Sequence, residues 1–206
     1  MSSVRVNIAI VLIATASIGG GWYFARAYIG PVERPEYATV LPSPMPLPNF
    51  TLNDQHGGTF TRESLEGGWS LLFFGFTHCP DICPATLQQL VLAREKLAAD
   101  GGSPLPDIVL ISVDPERDSP EVLKTYVSYF SNDIVGLTGD LGELEKLTKR
   151  LGIYFAKSPA GNGAYSVDHS AAVLVINPGA EFHALFSAPQ SIDKLTHDLP
   201  LILAAQ

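Results

Sequence analysis

The chain has 206 residues, enough for one domain with appendages, and is 46% hydrophobic and 17% charged, a globular composition with an apolar excess. Its formal charge is −8 and its 13 Lys and Arg residues form no cluster. Phosphate recognition needs clustered cations, so nucleic acid is excluded as a partner. An acidic surface serves solubility or a basic protein partner instead.

The apolar excess sits at the N-terminus. Val6 to Phe24 carries no charge and is flanked by Arg5 and Arg26. At about 1.5 Å per residue it is long enough to cross a hydrocarbon core of about 30 Å. Trp22 and Tyr23 lie at its end, where interfacial aromatics sit. Residues 1–30 are therefore expected to be a membrane anchor. A cleaved signal peptide, with Ala14-Thr15-Ala16 as the cleavage site, is the competing reading. Both export the rest of the chain, and the placement expected is a bacterial inner membrane with the soluble domain in the periplasm. Residues 31–48 carry Pro31, Pro35, Pro42, Pro44, Pro46 and Pro48 and read as an extended linker without regular structure.

A folded pattern is expected over 49–206. Phe50–Leu52 and Thr59–Phe60 flank Asp54–Gly58 as a hairpin, and Thr61 caps a short helix through Leu65. Trp69–Phe76 is a continuous apolar run, as in a strand buried on both faces. Pro84 suits a first helical position, and Leu87, Leu90, Val91, Ala93 and Leu97 then recur at helical spacing until Gly101-Gly102. Ile108–Val113 is a second buried strand. Ser119-Pro120-Glu121 opens another helix, Ile134–Leu137 is a short strand, and Asp140 caps a helix to about Leu151. Ile153–Ala156, Ala171–Ile176 and Phe182–Phe186 are strands, the last two joined by the turn Asn177-Pro178-Gly179-Ala180. A final helix starts near Ser191, with Pro200 expected to disturb it. This alternation predicts an α/β domain with a central mixed sheet flanked by helices.

The only two cysteines, Cys79 and Cys83, follow the Trp69 strand beside a predicted helix start. A structural disulfide closing so short a loop would restrict the unfolded chain very little, so the pair reads as a working one. As a redox pair it gains from the positive helix end, which lowers a thiol pKa. Dithiol oxidoreductases, however, space their cysteines by about two residues, not three. As a metal site, two thiolates favour Cu(I) or Zn(II). Structural zinc wants four protein ligands, whereas copper is satisfied by thiolates and one imidazole. Among the candidates His56, His78, His169, His183 and His197, His169 reads either as a third ligand or as a surface or turn histidine. It stands in Val167-Asp168-His169-Ser170, at the entrance of the Ala171 strand and after a loop with Gly161 and Gly163, with Asp168 placed to orient it. His78 should point away from Cys79, His56 belongs to a turn, and His183 and His197 are expected on solvated faces. Asp114-Pro115-Glu116-Arg117-Asp118-Ser119-Pro120 reads either as a loop and helix cap or as a segment that shapes the site.

The segments Phe74–Pro84, Ser112–Pro120 and Val167–Ser170, in this order and spacing, resemble the Sco/SenC family over about residues 44–205. That resemblance implies a thioredoxin-like fold with an N-terminal β-hairpin extension. It implies copper, Cu(I) or Cu(II), bound by Cys79, Cys83 and His169. The function implied is a membrane-anchored metallochaperone that assists assembly of the dinuclear copper (CuA) centre in subunit II of cytochrome c oxidase. Other copper chaperones or thioredoxin-like reductants are further implied partners. The alternative is a thiol-disulfide reductase using Cys79 and Cys83 on that subunit or another exported protein. A peroxidase and a sensor read out by a partner are more distant readings.

Overall fold

The structure is a computed structural model and describes Thr15, Ser17 and residues 19–23, 33–161 and 164–204. It divides into two units, Met1–Arg34 and Pro35–Gln206. In the first, residues 19–23 are helical. The anchor expected over Val6–Phe24, and the alternative cleavage site, lie largely outside the described residues. Among the described residues no helix is long and apolar enough to cross a membrane.

The second unit runs β1 (Ala38–Pro46), β2 (Thr51–Asp54), β3 (Thr59–Thr61), a 3-10 turn (Arg62–Leu65), β4 (Ser70–Gly75), α1 (Ile82–Ala99) and β5 (Asp107–Ser112). It continues with α2 (Pro120–Ser128), β6 (Val135–Thr138), α3 (Leu141–Leu151), β7 (Phe155–Gly161), β8 (Ala164–His169), β9 (Val173–Ile176), β10 (Glu181–Phe186) and α4 (Ile192–Leu203). Eight strands form one mixed sheet in the order β1-β10-β9-β4-β5-β6-β2-β3, and β7-β8 forms a separate two-stranded ribbon. Every residue of β4 is buried, as the apolar run Leu71–Phe74 requires of a central strand. β4 and β5 run parallel with Gly75 opposite Ser112, so the loops that follow them leave the sheet side by side. The helices start and stop for local reasons. Asp140 accepts from Gly142 N–H at the start of α3, and Gly152 ends it with φ +69°.

Three expectations need correction. Residues 38–46 are not a structureless linker: they form β1, which pairs with β10 at the sheet edge. An edge strand tolerates proline because one side of it needs no donors, and the register shifts between Val40 and Met45, across Pro42 and Pro44. The helix after the cysteines starts at Ile82 rather than Pro84, which brings Cys83 into its first turn. His169 does not enter the next strand; it ends β8, a strand the sequence does not announce, and the following strand starts at Val173. The expected Asn177–Ala180 turn is present, with Ala180 N–H bonded to Asn177 O at 2.9 Å.

The start of β1 is fixed by one buried side chain on α4. Asp198, fully buried, accepts backbone N–H groups from Glu36, Tyr37 and Ala38 at 2.9, 2.7 and 2.6 Å. His197 is therefore not simply a surface residue: its Nδ1 lies 2.7 Å from Asp198 and its ring meets Tyr37 edge-on. Burial alone would raise the Asp198 pKa. The bonds from Glu36, His197, Ala38 and Tyr37 outweigh it and hold the carboxyl below its usual range. A depressed carboxyl stabilises the fold above its unfolded pKa and loses that contribution as pH falls through the folded value. Asp198→Ala should lower stability by about 3 kcal/mol at neutral pH. In thermal melts the gap from wild type should begin to narrow as pH falls below about 4, the unfolded carboxyl value.

Candidate metal centre

β4 delivers the chain to the sheet edge, where Phe76–Asp81 turns into α1. Cys79 N–H bonds to Phe76 O at 3.3 Å, closing that turn. Cys79 is 9% exposed and Cys83 is fully buried, and both are free thiols. Cys83 N–H, at the start of α1, points at Cys79 Sγ at 3.4 Å. That sulfur thereby takes one of the N–H groups that the first turn of a helix leaves without an intrahelical partner. Gly75 makes room for Cys83: a Cβ at Gly75 would stand 3.0 Å from Cys83 Sγ. A lone glycine after the large apolar residues Leu71–Phe74 is the signal that marks such a close approach.

His169 comes from the ribbon. Its Nε2 lies 3.3 Å from Cys83 Sγ, and its Nδ1 lies 3.1 Å from Ser170 O. A carbonyl only accepts, so Nδ1 carries the proton and Nε2 presents a lone pair to the sulfur. The orienting partner is thus Ser170 O and not Asp168, whose carboxylate bonds Ser158 Oγ instead. Burial lowers the His169 pKa, which keeps the imidazole neutral. Phe73 and Phe76 meet its ring edge-on, with centroids 6.0 and 5.8 Å away. Burial also pushes the Cys83 thiol far up, so it holds its proton until a cation displaces it.

The ligand atoms of Cys79, Cys83 and His169 all lie within 4.8 Å of one another, the one such group among the described residues. Two sulfurs and one neutral imidazole, walled by aromatics and without a carboxylate, suit a soft cation better than a hard one. The remaining histidines lie outside this group. His78 is half exposed, with Nδ1 3.0 Å from Thr77 Oγ1. His56 sits in the β2-β3 turn. His183 is not on a solvated face: it is half-buried, edge-on to Trp69 at 5.4 Å, and burial lowers its pKa.

The segment between β5 and α2 shapes the site. Asp114 and Asp118 are fully buried. Asp118 accepts from Thr77 N–H at 3.0 Å and from Thr77 Oγ1 and Ser112 Oγ at 2.6 Å. Sequence reasoning flags this segment but misses its partners Thr77 and Tyr165, as well as Gly75, Phe73 and Phe76.

A mixed sheet flanked by helices, with a dithiol-and-imidazole cluster where β4 meets α1, is a mixed α/β, thioredoxin-like fold. The SCO1/SenC family profile matches residues 44–204, and the chain belongs to that family. A Stutzerimonas stutzeri protein named for copper binding is 41% identical over 164 residues, 80% of each chain. The human protein SCO2 homolog, mitochondrial, is 32% identical over 203 residues, 98% of this chain and 76% of its own. The crystal structure of Arabidopsis thaliana ScoI with copper bound is 32% identical. It superimposes with a TM-score of 0.74 over 78% of this chain and 99% of its own.

Proposed function

We propose that this chain is a copper metallochaperone. It holds one copper ion on Cys79, Cys83 and His169 and passes it to subunit II of cytochrome c oxidase for the CuA centre. The observation that carries this reading is the convergence of two thiols and an imidazole lone pair within 4.8 Å. Copper in the Arabidopsis relative and the family's association with cytochrome c oxidase assembly support it. Two thiolates are enough for Cu(I), and the imidazole adds a donor that Cu(II) prefers. Cys79 is the less buried thiol, so an incoming ligand from a partner reaches the ion on that side. Val6–Phe24 would anchor the chain in an inner membrane, with the folded domain, from Pro35 on, in the periplasm.

The second reading is a thiol-disulfide reductase with Cys79 as the attacking thiol, favoured by the hydrogen bond that Cys83 N–H donates to its sulfur. The burial of both thiols and the raised Cys83 pKa weigh against it. The deciding test uses reduced, oxygen-free protein titrated with Cu(I) against a chelator and then mixed with apo subunit II. One ion per chain, followed by transfer, is the expected result. No copper uptake, with the cysteine pair still cycling, shifts the assignment to the reductase.

A further inference from the structure

The cysteines hang from the eight-stranded sheet, whereas His169 hangs from a two-stranded ribbon with no backbone ladder to that sheet. A two-stranded ribbon is marginal by itself, so side chains must set the gap between the two halves of the site. Val167, buried in the core, is one anchor of the ribbon. Phe155 and Tyr165 pack against the core as well, and His169 meets Phe73 and Phe76. The polar anchors come from the loop between β5 and α2. Its Asp118 holds Thr77, just ahead of Cys79, through both the amide and the hydroxyl. Its other buried carboxylate, Asp114, is paired with Arg117 and accepts from Tyr165 OH at 2.8 Å. Arg117 Nη1 bonds Tyr165 O at 3.1 Å, and the guanidinium lies 3.9 Å from the centre of the Tyr165 ring. Tyr165 and His169 fall on the same face of β8 by strand alternation. The Phe76 ring, which follows β4 ahead of Cys79, lies 5.8 Å from the Arg117 guanidinium and 5.8 Å from the His169 ring. Glu116 adds a bond to Lys157 on β7 at 2.6 Å.

We propose that this loop is a brace: Asp118 fixes the cysteine arm, and the Asp114–Arg117 pair with Tyr165 fixes the histidine arm. The brace thereby sets how closely the imidazole approaches the thiols and how strongly Cu(II) is held relative to Cu(I). The inference rests on the copper reading above. Asp114, Arg117, Asp118 and Tyr165 are positioning residues and touch no ion. Burying two carboxylates is expensive for a fold that could use apolar side chains there, and each is matched here to one half of the site.

The test uses the full chain in detergent micelles, with Tyr165→Phe, which removes one hydroxyl, and Arg117→Gln. Native-state hydrogen exchange is read first, without copper. Amides of β7 and β8 should exchange about tenfold faster in the variants while those of β4 and β5 stay unchanged. Cu(II) affinity should then fall about 10–100-fold, with weakened nitrogen coupling in the electron paramagnetic resonance spectrum, while Cu(I) affinity stays near wild type. Unchanged ribbon exchange, or an equal loss for both oxidation states, overturns the brace. If wild type takes up no copper, the functional reading fails, and the exchange comparison alone decides whether the ribbon is braced. Should Arg117→Gln fail to fold, Tyr165→Phe decides by the same readouts.

Discussion

Cys83→Ser should abolish tight copper binding while leaving the fold in place. The serine hydroxyl is a hard donor that keeps its proton near neutral pH, so the pair of soft ligands is reduced to one. The change is nearly isosteric at a fully buried residue that packs beside Gly75. The new hydroxyl can donate to His169 Nε2, which now faces the sulfur at 3.3 Å, so no buried polar group is orphaned. The loss should therefore reach several orders of magnitude in Cu(I) affinity, about 4 kcal/mol or more for a thousandfold change. The thermal midpoint should move by only a few degrees. Cys79→Ser should behave alike for copper with even less effect on stability, because that residue lies at the rim. Chelator competition and a thermal melt on the same samples separate the two effects. A Cys83→Ser protein that still holds Cu(I) as wild type does would remove the pair from the site.

The parts of the molecule that can be read from the chain are those where one segment carries its own reason. Trp69–Phe76 has no polar alternation and can only be a doubly buried strand. Ser119-Pro120-Glu121 and Asp140 bring their own caps, and α2 and α3 start beside them. The cysteine pair is legible for the same reason: both thiols sit in one short segment, where β4 turns into α1. What cannot be read depends on partners distant in sequence. The prolines of 38–46 describe a linker until β10 is placed beside them, and Asp198 then holds the strand's start from the far end of the chain. β8 escapes a sequence reading because the ribbon has few apolar residues to alternate. Its strands take their shape from each other and from Tyr165 and Val167 meeting residues outside the ribbon. His169 stands out by its residue type and neighbourhood, yet its orienting partner is a backbone carbonyl, which no side-chain pattern reveals. The Asp114–Ser119 segment is dense in charge, and only the fold shows that its two buried acids bond to different halves of the site, Asp118 to Thr77 and Asp114 to Tyr165.

His169→Ala should separate the two oxidation states of copper. With the imidazole gone, Cys79 and Cys83 remain within reach of one ion, and two thiolates suffice for Cu(I). Cu(II) loses its only nitrogen donor. Even the loss of a hydrogen-bond partner one shell further out costs about 10–100-fold in metal affinity, so loss of the ligand itself should exceed about 100-fold for Cu(II). The cavity left between Phe73 and Phe76 adds a modest stability loss of about 1–2 kcal/mol, shared by the apo and loaded forms and so without effect on the ratio. Competition titrations in both oxidation states, with the nitrogen coupling of the Cu(II) spectrum as a structural check, measure that ratio directly. Equal losses would mean that the imidazole is required for Cu(I) as well, and the ion would then be three-coordinate in both states. No loss in either would leave His169 as a packing residue that shields Cys83. The same variant discriminates the rival activity, because disulfide reduction by Cys79 needs no imidazole: reductase turnover that survives while Cu(II) binding collapses assigns the histidine to metal handling alone.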